Sequence, residues 1–137
     1  MDKNNLPRIV SLTSIMIQFL IVYIFLSNLV LVLSGHIPMV AEYASVGSGP
    51  YMVFLLCWCF FLLLLVELFN RRMKSIRNLF VSLAIFHVYI YISSFFHTEI
   101  DIKSLSFAFS SLQVLIESVL LVMIYSPESR CWFNKKS

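Results

Sequence analysis

Four long apolar runs, separated by short polar clusters, set the pattern of this chain. They cover Ile9–Leu33, Tyr51–Phe69, Asn78–Phe96 and Leu105–Tyr125. Each is close to the ~20 residues an α-helix needs to cross a ~30 Å hydrocarbon core, and the longer first run implies tilt or a frayed outer end. Every glycine (Gly35, Gly47, Gly49) and every proline (Pro7, Pro38, Pro50, Pro127) lies outside the runs. Nothing within a run therefore removes a helical hydrogen bond or clashes with the preceding turn. The runs do not alternate polar and apolar positions as barrel strands would, and in lipid that leaves helices. The expected fold class is all-α: an integral-membrane four-helix transmembrane bundle, one domain over residues 1–137.

Composition agrees with the pattern. Hydrophobic residues make up 60% of the chain and charged residues 12%, with 13 Phe, and the mean hydropathy is +0.90. A soluble domain carries about a quarter of its residues as charges. The charges also fix an orientation. Lys3 and Arg8 precede the first run, Arg71, Arg72, Lys74 and Arg77 separate the second from the third, and Arg130, Lys135 and Lys136 follow the fourth. Only Lys103 lies on the opposite side, beside Glu42, Glu99 and Asp101. The positive-inside rule then places both termini and the 70–77 turn in the cytoplasm. The net charge of +3 is accounted for by that orientation, so no nucleic-acid partner is implied. The first run exceeds the 7–15 residues of a signal-peptide core, so an uncleaved helix is expected.

The longest connection, Ser34–Pro50, is external in this arrangement. Pro38 followed by Met39–Ala44 suggests one or two helical turns in the interface, and Ser45–Pro50 a flexible re-entry into the second span. Cys57 and Cys59 fall within the second span, two apart and on different sides, and Cys131 lies in the tail. No predicted external loop holds a cysteine, so no disulfide framework is expected.

Polar residues inside spans are costly and raise a functional question. Glu67 sits four residues before Arg71, near the cytoplasmic end of the second span, and reads as an anchoring pair. Gln18, His87 and Glu117 lie about 12–14 Å deep at 1.5 Å per residue, close to mid-bilayer. Helical spacing arranges polar stripes around them. These are Ser106, Ser110, Gln113 and Glu117 on the fourth span, Ala84, His87, Tyr91 and Ser94 on the third, and Ser11, Ser14 and Gln18 on the first, with Asn28 farther along. Such stripes predict packing faces, whereas the second span has none and is expected to be the most lipid-exposed. The cluster Gln18, His87, Gln113 and Glu117 has two readings. Its members satisfy one another and fix helix register, or the Glu117–His87 pair passes a proton or holds a cationic substrate.

Other chemistries find no support. No His/Cys/Asp/Glu grouping has metal spacing, and no phosphate loop or nucleophile elbow occurs, so neither a cofactor nor an enzymatic activity is expected. The basic turn Arg71, Arg72, Lys74 and Arg77 serves orientation or binds anionic headgroups.

Three segments carry a resemblance: Leu6-Pro7-Arg8, the turn Arg71-Arg72, and the closing Tyr125-Ser126-Pro127-Glu128-Ser129-Arg130-Cys131-Trp132-Phe133. In these and in its layout the chain resembles small uncharacterised four-helix inner-membrane proteins of bacteria. The resemblance implies a bacterial inner-membrane location and no activity. In the closing segment Pro127 is expected to end the last helix, Arg130 to meet headgroups, and Trp132 and Phe133 to anchor at the interface. Small multidrug transporters share the length and span count but carry a glutamate in the first span and glycines late in the chain. Here Gln18 stands in the first span and no span contains glycine. Thiol-oxidising four-helix enzymes need external cysteine pairs, which are lacking.

Two functions of different class follow. One is a non-enzymatic accessory, regulatory or immunity-type partner of another membrane component, of the kind that protects against pore-forming bacteriocins. The other is an oligomeric small transporter or channel using Glu117 and His87.

Overall fold

The computed structural model describes residues 7–36, 46–71, 73–97 and 104–134, the side chains at 94, 95 and 97 excepted. Among them it is all-helical, with α1 (Arg8–Leu33), α2 (Ser48–Asn70), α3 (Lys74–His97), α4 (Leu105–Ile124) and a short α5 (Pro127–Asn134). The first four are long and apolar enough to cross a membrane, as the hydrophobic runs predict. The interfacial turns expected at Pro38–Ala44, the side chain of Ser94 and residue Arg72 lie outside the described residues.

Helix ends follow local chemistry. α1 stops at a left-handed Gly35, φ 76°. The Gly35 N–H donates to the Val32 carbonyl at 3.1 Å and the His36 N–H to that of Leu31 at 2.9 Å, closing the last turn as a Schellman motif. α2 begins earlier than its apolar run, so Gly49 and Pro50 occupy its first turn, where a missing N–H has no helical carbonyl to bond. Ser104 caps α4 by accepting the Phe107 N–H at 3.2 Å. Ser126 caps α5 by accepting the Ser129 N–H at 3.3 Å, with Pro127 at the first helical position.

α1 packs against α2 and α4, and α3 packs against α4 and, less extensively, α2. The buried face of α1 includes Val10, Ile17, Ile21 and Ile24, and that of α2 Leu55, Cys59, Leu62 and Val66. Both sets recur at helical spacing. The expectation that the second span is the most lipid-exposed is overturned: 33% of its most apolar stretch is buried, against 17–28% for the others. Its contacts are made by large apolar side chains, so no polar stripe marks the face. The outward faces are equally apolar, with Phe19, Phe60 and Val122 more than half exposed.

The closing segment also departs from expectation. Pro127 does not simply end α4; it starts α5, which packs on α1 and α4. Trp132 and Phe133 are 8% and 3% exposed, turned inward instead of anchoring at an interface. The Phe133 ring stands 5.0 Å from that of Phe69 on α2, and the Arg77 guanidinium of α3 lies over it at 5.4 Å. Trp132 and Phe133 are neighbours about 100° apart round α5, so together with Ser129 they bury a broad side of this eight-residue helix.

Candidate functional site

Three of the predicted polar residues meet between α3 and α4. Gln113 and Glu117, one helical turn apart, share a face of α4, and His87 comes from α3. His87 Nδ1 lies 2.8 Å from Glu117 Oε2, and Gln113 Nε2 donates to Glu117 Oε1 at 2.9 Å. The same Gln113 nitrogen stands 3.4 Å from His87 Nδ1. Glu117 is 6% exposed, so both carboxyl oxygens depend on protein donors.

The geometry restricts the protons. With a proton on Nδ1, His87 donates to a Glu117 carboxylate. With Nδ1 bare, Glu117 is an acid donating from Oε2. Those arrangements interconvert by one proton passing between Nδ1 and Oε2, which stand 2.8 Å apart, the arrangement general acid–base pairs use.

Gln18 does not join them. It is exposed and, among the described residues, makes no side-chain hydrogen bond. The inward face of α1 runs through Ile17 and Ile21, and Gln18 lies about 100° round the helix from Ile17. The step from Ser14 to Gln18 therefore misled, since Ser14 is buried and Gln18 lies at the flank.

Tyrosines tie the remaining helices together, a role the sequence did not single out for Tyr23 or Tyr51. Tyr51 on α2 donates to Asn28 Oδ1 on α1 at 3.0 Å, while Asn28 Nδ2 donates to the Ile24 carbonyl at 2.7 Å. Tyr23 on α1 donates to the Phe109 carbonyl on α4 at 2.9 Å. Tyr91 on α3 meets Ser111 Oγ at 2.8 Å. The signal was available, since a phenol in an apolar run needs a partner.

These contacts surround a cavity of about 390 Å³ lined by all four long helices, with His87, Gln113 and Glu117 in its wall. The wall is otherwise mostly apolar and includes Phe54, Trp58, Phe80 and Phe109.

The basic turn is divided. Arg71 is exposed and pairs with Glu67 at 3.4 Å, the i,i+4 contact its spacing predicts. Lys74 is exposed, whereas Arg77 is turned onto Phe133. Among the described residues no group of His, Cys, Asp and Glu could hold a metal ion, and Cys57, Cys59 and Cys131 are free thiols. Compared with known proteins, the chain matches no family model, no curated protein and no solved structure.

Proposed function

We propose that the chain is a non-enzymatic multi-pass protein of the bacterial inner membrane. In this reading it is a four-helix transmembrane bundle with both termini in the cytoplasm, acting as an accessory, regulatory or immunity-type partner of another membrane component. The observation that carries the reading is Gln18. A carboxamide in the middle of a long apolar helix, exposed and without a partner among the described residues, faces hydrocarbon unless another helix covers it. Leaving such a group unpaired in an apolar medium costs several kcal/mol by order of magnitude, and interhelical hydrogen bonds from Gln are a known glue between spans. Leu12, Ile15 and Val22 are also more than half exposed and give α1 an apolar surface on which a partner helix can pack.

Site-specific photocrosslinking in native membranes tests this. A benzophenone amino acid at position 18 is expected to capture a distinct membrane polypeptide, identified by mass spectrometry. The same probe at Ile17, 3% exposed, should capture none. Capture of only a second copy of the chain, or of lipid alone, would sink the accessory reading.

A second reading, an oligomeric small transporter or channel, is favoured by the pairing of buried Glu117 with half-buried His87 in the cavity wall. A proton-sharing pair inside a membrane is the kind of element that proton and cation pathways use. It predicts a flux in proteoliposomes that Glu117→Gln abolishes without lowering expression.

A further inference from the structure

The cavity between the long helices has a composition that selects a ligand. Its volume of about 390 Å³ falls within the ~300–1,000 Å³ of small-molecule sites. Among the described residues, the ionisable side chains lining it are Glu117, His87 and Tyr51, and no lysine or arginine does so. α1 contributes Ser27 and Asn28 to the wall and no ionisable group. Tyr51 is occupied as a donor to Asn28. Tyr23 on α1 spends its hydroxyl on the Phe109 carbonyl, and Arg8, at the first position of α1, is not among the residues lining the cavity. Among the described residues lining the cavity, His87 is therefore the one side chain that can supply a positive counter-charge to a Glu117 carboxylate.

Phe54 on α2 and Phe86 on α3 line the cavity and are 59% and 60% exposed. An opening between these two rings faces acyl chains when the chain is embedded in a membrane. A ligand entering there must first partition into the bilayer. Once inside, it meets aromatic faces from Trp58, Phe80 and Phe109, which attract a cation through their quadrupoles, and one carboxyl group.

We propose that this cavity binds a lipophilic monovalent cation, held by the Glu117 carboxylate and the surrounding aromatic rings, with one proton leaving the Glu117–His87 pair as the cation enters. The balance follows from burial. The protonated pair is neutral overall, as acid with imidazole or as carboxylate with imidazolium. A cation added to it would be an uncompensated charge away from water, which is strongly unfavourable. Releasing the proton leaves neutral His87 donating from Nδ1 to a carboxylate, and cation plus carboxylate are again neutral. Gln113 keeps its bond to Oε1 in both states. An anion of the same shape gains the apolar burial but meets the carboxylate, or must leave the pair positively charged.

The proposal names a substrate class for the transport reading and rests on that reading's site, but equilibrium binding is measured without any flux. The probes are tetraphenylphosphonium and tetraphenylborate, nearly identical in shape and opposite in charge. Equilibrium dialysis uses the purified full chain in detergent, with protein-free micelles subtracted. The expected result is saturable binding of the phosphonium at a single site, none of the borate, and release of about one proton per cation in weakly buffered solution. Glu117→Gln should weaken phosphonium binding by roughly tenfold or more, a difference of about 1.4 kcal/mol at the lower bound. Ala84→Phe, which fills part of the cavity while leaving the pair intact, should weaken it too. Helical content and a single elution peak establish that each variant is folded. The proposal is overturned if borate binds as tightly as phosphonium, or if both folded variants bind phosphonium like the parent. Phosphonium binding without flux in proteoliposomes supports the site and counts against the transport reading alone.

Discussion

At the scale of single residues, the few polar side chains within the spans act through directed bonds that the apolar surroundings leave no water to replace. Tyr51 and Asn28 are the plainest case. The Tyr51 hydroxyl donates to Asn28 Oδ1 across the α1–α2 contact, and Tyr51 is 7% exposed. Tyr51→Phe removes the donor and strands a carboxamide oxygen. It is expected to destabilise the folded chain by about 0.6–2 kcal/mol, read from thermal or detergent-induced unfolding. Tyr51→Phe with Asn28→Leu should cost less than the sum of the two single changes, because the stranded group is then gone. Gly35 gives a different kind of prediction. A Cβ built there meets nothing within 4 Å, but φ is +76°, so the cost of Gly35→Ala is purely conformational, about 1–2 kcal/mol. Gly35→Asn should recover part of it, since asparagine tolerates the left-handed region. If alanine and asparagine unfold alike, the left-handed cap does not set the cost.

Among the helices, what decides which face turns inward is not always visible in the sequence. The four long helices could be marked out because length and the absence of breakers suffice for that. Inward and outward faces could not always be told apart, because hydrocarbon outside is as apolar as the packing inside. Polar residues then become the only markers. They serve well on α4, where the face holding Gln113 and Glu117 meets His87, and poorly on α1, where Gln18 lies off the buried face. On α2 no marker exists, and its contact rests on Leu55, Leu62, Val66 and Phe69. In α5 the signal was present and outweighed. Ser126, Pro127 and Glu128 form a helix start as readily as a stop, and only the neighbouring Phe69 and Arg77 explain why Phe133 turns inward. Docking of α5 is therefore testable through one ring. Phe133→Ala removes a buried side chain from a site where such losses cost on the order of 3 kcal/mol. Trypsin should then cut after the exposed Arg130 much faster than in the parent. Equal cleavage rates would mean that α5 is held by something other than this ring.

For the whole molecule, the placement of charge and the packing of α5 bear on the proposed topology together. Phe133 touches Phe69 near the end of α2 and Arg77 near the start of α3, so the tail and the α2–α3 turn lie at one end of the molecule. Arg71, Lys74, Arg77 and Arg130 are gathered at that same end, which supports a cytoplasmic tail and turn under the positive-inside rule. The chain carries its own reporters. Cys131 is exposed and Cys59 buried, while Cys57 is exposed on a long apolar helix. A membrane-impermeant maleimide should label Cys131 in inside-out vesicles and leave it untouched in intact spheroplasts. Cys57 faces hydrocarbon in this arrangement, which the charged reagent does not enter. It should therefore resist labelling from either side until detergent is added, as should Cys59. Labelling of Cys131 from the outer face alone would invert the orientation and place the cluster of basic residues outside. Labelling of Cys57 by the impermeant reagent in sealed vesicles would instead mean that α2 borders water, and the four-span arrangement would fail with it.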